Sequence, residues 1–225
     1  MKPSKAIDMC NGPLLPKILW YALPLALTGM LQLLYNAADL IVVGQFASDN
    51  AMAAVTSTTP LINLLVNVFS GLSVGTLATV ARHYGAGDKE KIHQSVHTAI
   101  TVAILGGILV MLLGSLLCEP LLVLMDTPTE VLPQAVLYLR IYFLGIPAFM
   151  IYNFGASILR AVGDTRRPLL FLTGSGLVNV GLNLLLVIVF HMGVAGVAIA
   201  TAVSQYISAV LVILCLLREQ GDIHL

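Results

Sequence analysis

The apolar positions of this chain come in long, almost unbroken runs, and six of these runs reach the about 20 residues that a helix needs to cross the hydrocarbon core of a bilayer. Their limits are close to 14–43, 51–81, 93–118, 133–159, 169–190 and 195–217. Turn formers fill the gaps: Gly44-Gln45 with Ser48-Asp49-Asn50, then Gly85-Ala86-Gly87-Asp88, then Pro120 and Pro128, then Gly163-Asp164 with Pro168, then Met192-Gly193. The pattern predicts an all-α, polytopic membrane protein built as a bundle of six transmembrane helices. It divides the chain into an N-terminal segment over 1–13, a membrane lobe over 14–217, and a tail or the start of a linker over 218–225.

Composition sharpens this picture. Of 225 residues, 58% are hydrophobic and 10% charged, with a mean hydropathy of +0.96, which is too little charge to cover a water-soluble surface. The formal net charge is zero, so no global field recruits nucleic acid. Cys10, Cys118 and Cys215 share no close spacing, which speaks against a disulfide framework or a zinc site. The first apolar run is too long for the core of a signal peptide and is read as a retained span.

Charge gives the orientation. Lys2, Lys5 and Lys17 precede helix 1, Arg82, Lys89 and Lys91 lie between helices 2 and 3, Arg160, Arg166 and Arg167 lie between helices 4 and 5, and Arg218 follows helix 6, so ten of the eleven basic residues fall on one side. The other side has Asp49, Glu119, Asp126 and Glu130. Basic loops stay in the cytoplasm, so both termini are expected there, in a multi-pass protein of the cell (plasma or inner) membrane. The two longer inner loops resemble each other, Gly85-Ala86-Gly87-Asp88-Lys89 against Ala161-Val162-Gly163-Asp164-Thr165-Arg166, either as a faint internal repeat or because short inner loops favour such residues.

Two charges fall inside the spans, Asp39 in helix 1 and Arg140 in helix 4. An ionisable group at membrane depth is costly unless it faces a partner or a wet cavity. Counting 1.5 Å per residue, Asp39 lies roughly 7 Å from the outer helix end, Arg140 roughly 10 Å, and Asn183 and Thr201 roughly 10–12 Å, with Asn179 one turn deeper on the face of Asn183. Residues three, four and seven apart share a face, which groups Gln32, Tyr35, Asn36 and Asp39 on helix 1, Thr56, Thr59, Asn63, Asn67 and Ser70 on helix 2, and Thr201, Ser204, Gln205 and Ser208 on helix 6. Such stripes point away from lipid, either gluing helices together or lining a polar space. Asp39 with Asn179, Asn183 and Thr201 makes a cradle for Na⁺ or for a proton on the carboxyl group. Arg140 either pairs with Asp39 or another acceptor, or extends to the outer interface. Pro24, midway along helix 1, removes one helical hydrogen bond and is expected to act as a hinge.

These residues resemble the multidrug and toxic compound extrusion (MATE) family. The resemblance rests on Ala22-Leu23-Pro24 followed by Asp39-Leu40-Ile41-Val42-Val43-Gly44-Gln45, on Ala51-Met52-Ala53-Ala54-Val55, on Tyr84-Gly85-Ala86-Gly87-Asp88, on Leu159 to Arg166, and on Gly193 to Thr201, all in the family's order. It implies that Asp39 binds the coupling H⁺ or Na⁺ together with Asn179 and Thr201, that Pro24 is the bending proline, and that Gln32, Tyr35 and Asn153 line an amino-terminal cavity. Many members carry a second Asp where this chain has Asn183, so one negative charge is missing here. Members resemble two six-helix lobes with substrate passing between them, and this sequence corresponds to the first. It is expected to work beside a second lobe, either a further segment or a second copy.

The expected activity is ion-coupled antiport of cationic or amphipathic drug-like compounds, without enzymatic chemistry and with no cofactor beyond the coupling H⁺ or Na⁺. The alternatives are a flippase for lipid-linked glycans, whose cavity would be more basic, and an isolated lobe without activity. A serine hydrolase centred on Gly174-Ser175-Gly176 lacks a base within reach. His93 and His97 are four residues apart but have no Cys or carboxylate at ligand spacing, and are read as interfacial anchors, not as a metal site.

Overall fold

The computed structural model describes residues 14–219, 221 and 223–225. The expected cytoplasmic segment over 1–13, with Lys2, Lys5 and Cys10, lies outside the described residues. Six long helices carry the fold: α1 (Leu14–Phe46), α2 (Asp49–Gly85), α3 (Lys89–Leu124), α4 (Leu132–Ala161), α5 (Arg166–Leu184) and α6 (Gly193–Leu217). A π-helical turn, Leu185–Val189, continues α5. Each helix, with that turn added to α5, is long and apolar enough to cross a membrane. Helices are what such a sequence must form, because lipid offers the backbone no hydrogen-bond partners and every N–H and C=O must be satisfied within the segment.

The helices run further than the apolar runs that foretold them. Gly44 and Gln45 lie inside α1, Asp49 and Asn50 open α2, and Glu119 and Pro120 lie inside α3, which continues for another turn to Leu124. Pro168 is the third residue of α5, where its absent N–H would have had no helical acceptor anyway. Lipid-spanning helices thus absorb residues that act as breakers in water. Pro24 does not interrupt α1, and its carbonyl accepts both in the helix and from Thr28 Oγ1 at 2.8 Å.

The two similar loops, α2–α3 and α4–α5, are the same turn. Gly87 and Gly163 both adopt the left-handed conformation (φ 69° and 86°), where a side chain would strain the backbone. The next N–H, of Asp88 or Asp164, closes back on the carbonyl of His83 or Leu159 at 3.1 and 3.0 Å, the six-to-one bond of a Schellman cap. The same Asp then caps the following helix, Asp88 Oδ1 accepting from the N–H of Lys91, and Asp164 Oδ1 from those of Arg166 and Arg167. In each loop the basic residue three positions on pairs with that Asp: Lys91 with Asp88, Arg167 with Asp164.

Helix α4 is the central element, packed on α2, α3 and α6, while α5 packs on α6 and α1 leans mainly on α5. Of the most apolar stretch of α4, 61% is buried, against 11% for α1. Glycines make the close contacts of α4 possible: a Cβ on Gly107 of α3 would lie 2.6 Å from Pro147 Cα, and one on Gly114 would lie 2.1 Å from the Phe143 ring. At the start of α5 Arg167 joins the α4–α5 loop to the end of α6, pairing with Asp164, with Glu219 at 2.5 Å, and donating to Cys215 Sγ at 3.2 Å.

Candidate cation and substrate site

Asp39 sits seven residues before the C-terminal end of α1, buried to 9% exposure, and is held by residues from two other helices. Asn183 of α5 donates through Nδ2 to Asp39 Oδ1, and Thr201 of α6 donates through Oγ1 to Asp39 Oδ2 at 3.3 Å. Asn183 Nδ2 also donates to Asn179 Oδ1 at 3.3 Å, and Asn179 Nδ2 donates to Thr201 Oγ1 at 3.4 Å. The four residues therefore form a closed ring in which the carboxylate accepts at both oxygens. Asn183 is fully buried, and its Oδ1 has no hydrogen-bond partner among the described residues. That orphan acceptor is unusual in a low-dielectric interior, where an unpaired polar atom is costly.

The ring borders a cavity of about 470 Å³ enclosed by α1, α2, α4, α5 and α6. Gln32, Tyr35 and Asn36 of α1 line it, as do Ser204, Gln205 and Ser208 of α6, while of the α2 stripe Thr59 and Asn63 reach it and Thr56, Asn67 and Ser70 do not. Among the described residues lining this cavity, Asp39 is the only one with a formally charged side chain.

Arg140 takes the other acceptor that the sequence left open. Arg140 does not pair with Asp39; its guanidinium lies 3.6 Å from Glu119, with both side chains more than half exposed. Depth alone brought Arg140 to the level of Asp39, but its position around α4 turns it toward α3, and the extension of α3 supplies the acid. Asn153 is not among the residues that border this cavity, and its amide donates to the Phe149 carbonyl one turn back at 2.8 Å.

Sequence reasoning missed the aromatic wall. Tyr138, Tyr142, Phe149 and Tyr152 of α4 all face the cavity, spaced four, eleven and fourteen residues along one helix face. The spacing was readable, but aromatic residues on a buried helix look like ordinary core. The Tyr138 and Tyr142 rings lie 6.3 Å apart, and Tyr152 Oη donates to the Pro168 carbonyl at 3.0 Å. Ser175 also lines the cavity, with its hydroxyl bonded to Leu172 O and Ser208 Oγ. Near the N-terminal end of α3, His97 Nδ1 lies 3.0 Å from its own helix at His93 O.

Six membrane-length helices, five of them lining a cavity bordered by a single buried carboxylate, fit a lobe of a multi-pass membrane transporter. Comparison with known proteins agrees: the MatE family model matches residues 24–185, and the chain belongs to the MATE family. It is 30% identical over 204 residues to the probable multidrug resistance protein YpnP of Bacillus subtilis, covering 91% of this chain and 46% of that protein. It is 26% identical to an FAD transporter of Shewanella oneidensis, covering 89% of this chain and 45% of that protein. A crystal structure of a MATE protein in the bent conformation superposes with a TM-score of 0.91 at 25% identity, covering 98% of this chain and 49% of that one. The chain thus spans about half the length of the relatives and structures it matches.

Proposed function

We propose that this chain is one lobe of a secondary antiporter that exports cationic or amphipathic organic compounds in exchange for H⁺ or Na⁺, with Asp39 as the coupling group. The observation that carries the reading is the ring of Asp39, Asn179, Asn183 and Thr201 at the wall of a cavity whose described lining has no basic side chain. A carboxylate and a tyrosine wall attract a positively charged aromatic compound. A nucleotide or a glycan phosphate would require cations that this lining lacks, and Arg140 stands outside it beside Glu119. The concentration of Lys and Arg in the loops on one side supports a topology with both termini in the cytoplasm.

The ring is suited to exchange a cation for a change of shape. With Asp39 ionised, Asn183 and Thr201 each donate to it, and α1 is tied to α5 and α6. A proton turns the carboxyl group into a donor, weakens its hold on Thr201, and needs an acceptor, which the unbonded Asn183 Oδ1 supplies on rotation of the amide. Na⁺ would need the same rotation, because Asn183 presents nitrogen, not oxygen, to Asp39. Either event loosens the attachment of α1, the least enclosed helix, and shifts the population toward another packing of α1.

The test is efflux of a fluorescent organic cation from vesicles containing the complete protein under an imposed H⁺ or Na⁺ gradient. Asp39→Asn is expected to abolish the gradient-driven component while leaving the protein in the membrane. Undiminished gradient-driven efflux by this variant would refute the assignment.

A further inference from the structure

Tyr35 lies in a slot that exists because residue 176 is glycine. A Cβ built on Gly176 of α5 would fall 1.9, 2.2 and 2.4 Å from Tyr35 Cζ, Cε2 and Oη, so no other residue fits while the ring stays. Two positions earlier, Gly174 has nothing within 4 Å of its Cβ position, so the close approach belongs to residue 176 and not to the whole Gly-Ser-Gly stretch. The hydroxyl group of the seated ring reaches the Thr173 carbonyl at 3.4 Å.

The slot is in register with the ring of polar residues. Tyr35 precedes Asp39 by four residues on α1, and Gly176 precedes Asn179 and Asn183 by three and seven on α5, so on each helix the packing contact and the polar contact share one face. The two helices cross the membrane in the same direction, and the seated Tyr35 therefore fixes both the separation of α1 from α5 and the height at which Asp39 meets Asn183. The titratable groups that share the cavity with Asp39 are Tyr35 on its own helix and Tyr138, Tyr142 and Tyr152 on α4; the described residues of α2, α5 and α6 that line it are neutral and do not titrate.

We propose that Gly176 is a positioning residue for cation coupling: by seating Tyr35 it holds α1 where Asp39 can bond Asn183 and Thr201, and so sets the proton affinity of that carboxyl group. The inference rests on the reading of Asp39 as the coupling group. Its experiment is chosen to separate the two.

Proton uptake by the complete purified protein is measured against pH without substrate, with Asp39→Asn identifying the part due to Asp39. Gly176→Ala and Tyr35→Ala are each expected to displace the midpoint of that part by about one pH unit, a tenfold change in proton affinity. The Gly176→Ala/Tyr35→Ala double variant is expected to match Tyr35→Ala, because the added methyl group then meets no ring. Gly174→Ala should leave the curve in place. A Gly176→Ala curve that overlays the wild type, even in a less stable protein, would reduce the glycine to a packing residue and overturn the proposal. So would effects that simply add in the double variant. If Gly176→Ala does not fold, an unmoved midpoint in Tyr35→Ala overturns it equally. An Asp39→Asn protein that still couples efflux to the gradient defeats the functional reading instead, whatever residue 176 does.

Discussion

Asn183 donates a hydrogen bond to Asp39 across 144 residues of chain, and it is the amide nitrogen, not the oxygen, that faces the carboxylate. A single side-chain substitution would reverse this chemistry. Asn183→Asp places two carboxyl groups in contact, and two such groups resist ionising together unless a cation sits between them. Efflux by this variant in vesicles at fixed pH should gain a several-fold stimulation by an inward Na⁺ gradient, and Asn183→Leu should not. Identical Na⁺ responses in wild type and Asn183→Asp would contradict the geometry of the ring.

Arg167 ties the start of α5 to the α4–α5 loop through Asp164 and to the end of α6 through Glu219. Removing it strands the Asp164 carboxylate, whose side chain is 1% exposed. Arg167→Met should destabilise the protein by about 2–3 kcal/mol, less than for a fully enclosed pair because the Arg167 and Glu219 side chains keep 19% and 24% exposure. Arg167→Lys should recover part of this, since an ammonium cannot reproduce the fork that serves two acids. Unfolding in a denaturing detergent titration reports both values.

Glycines of the bundle should separate into two groups. Gly107→Ala forces a methyl group against the backbone of Pro147 and should cost about 2 kcal/mol or more in the same titration. Gly71→Ala meets nothing within 4 Å and should fall within about 0.5 kcal/mol of wild type, on the stabilising side. Equal losses at both positions would show that the α3–α4 contact is looser than described.

Asp88, capping α3 in the inner loop, should give a local pH signature. Hydrogen bonds from Lys91, first from its side chain and then from its backbone N–H, hold the carboxyl group below the usual carboxylate range. A lowered value means that the cap is fully engaged above the ordinary pKa of about 4 and is lost only as pH falls through the lowered one. Amide exchange at Lys91 and Ile92, corrected for the intrinsic rate, should therefore stay protected down to that point and then rise. Asp88→Ala should show the raised exchange already at neutral pH.

Much of this site could be read from spacing. Asp39, Tyr35, Asn36 and Gln32 share a helix face by arithmetic, and the equal depths of Asn183 and Thr201 follow from counting residues along helices of known direction. What counting cannot give is rotation about the helix axis relative to a neighbour. Arg140 reached the right depth and faced Glu119 instead of the cavity; Asn153 spent its amide on its own helix. Pro120 misled the end of α3 because lipid makes an interrupted helix more expensive than a helix with one missing bond, and Pro168 misled the start of α5 because a first-turn proline forfeits no helical bond. The slot at Gly176 was invisible, since a glycine in a sequence does not say which ring it makes room for.

The unequal enclosure of α1 and α4 has an experimental corollary. If the lobe changes shape during its cycle, the change is concentrated where fewest neighbours must be disturbed, and a spin label or fluorophore on the lipid-facing side of α1 would register it. The same probe on α4 would stay silent, giving a fixed reference against which distances to the moving helix can be read.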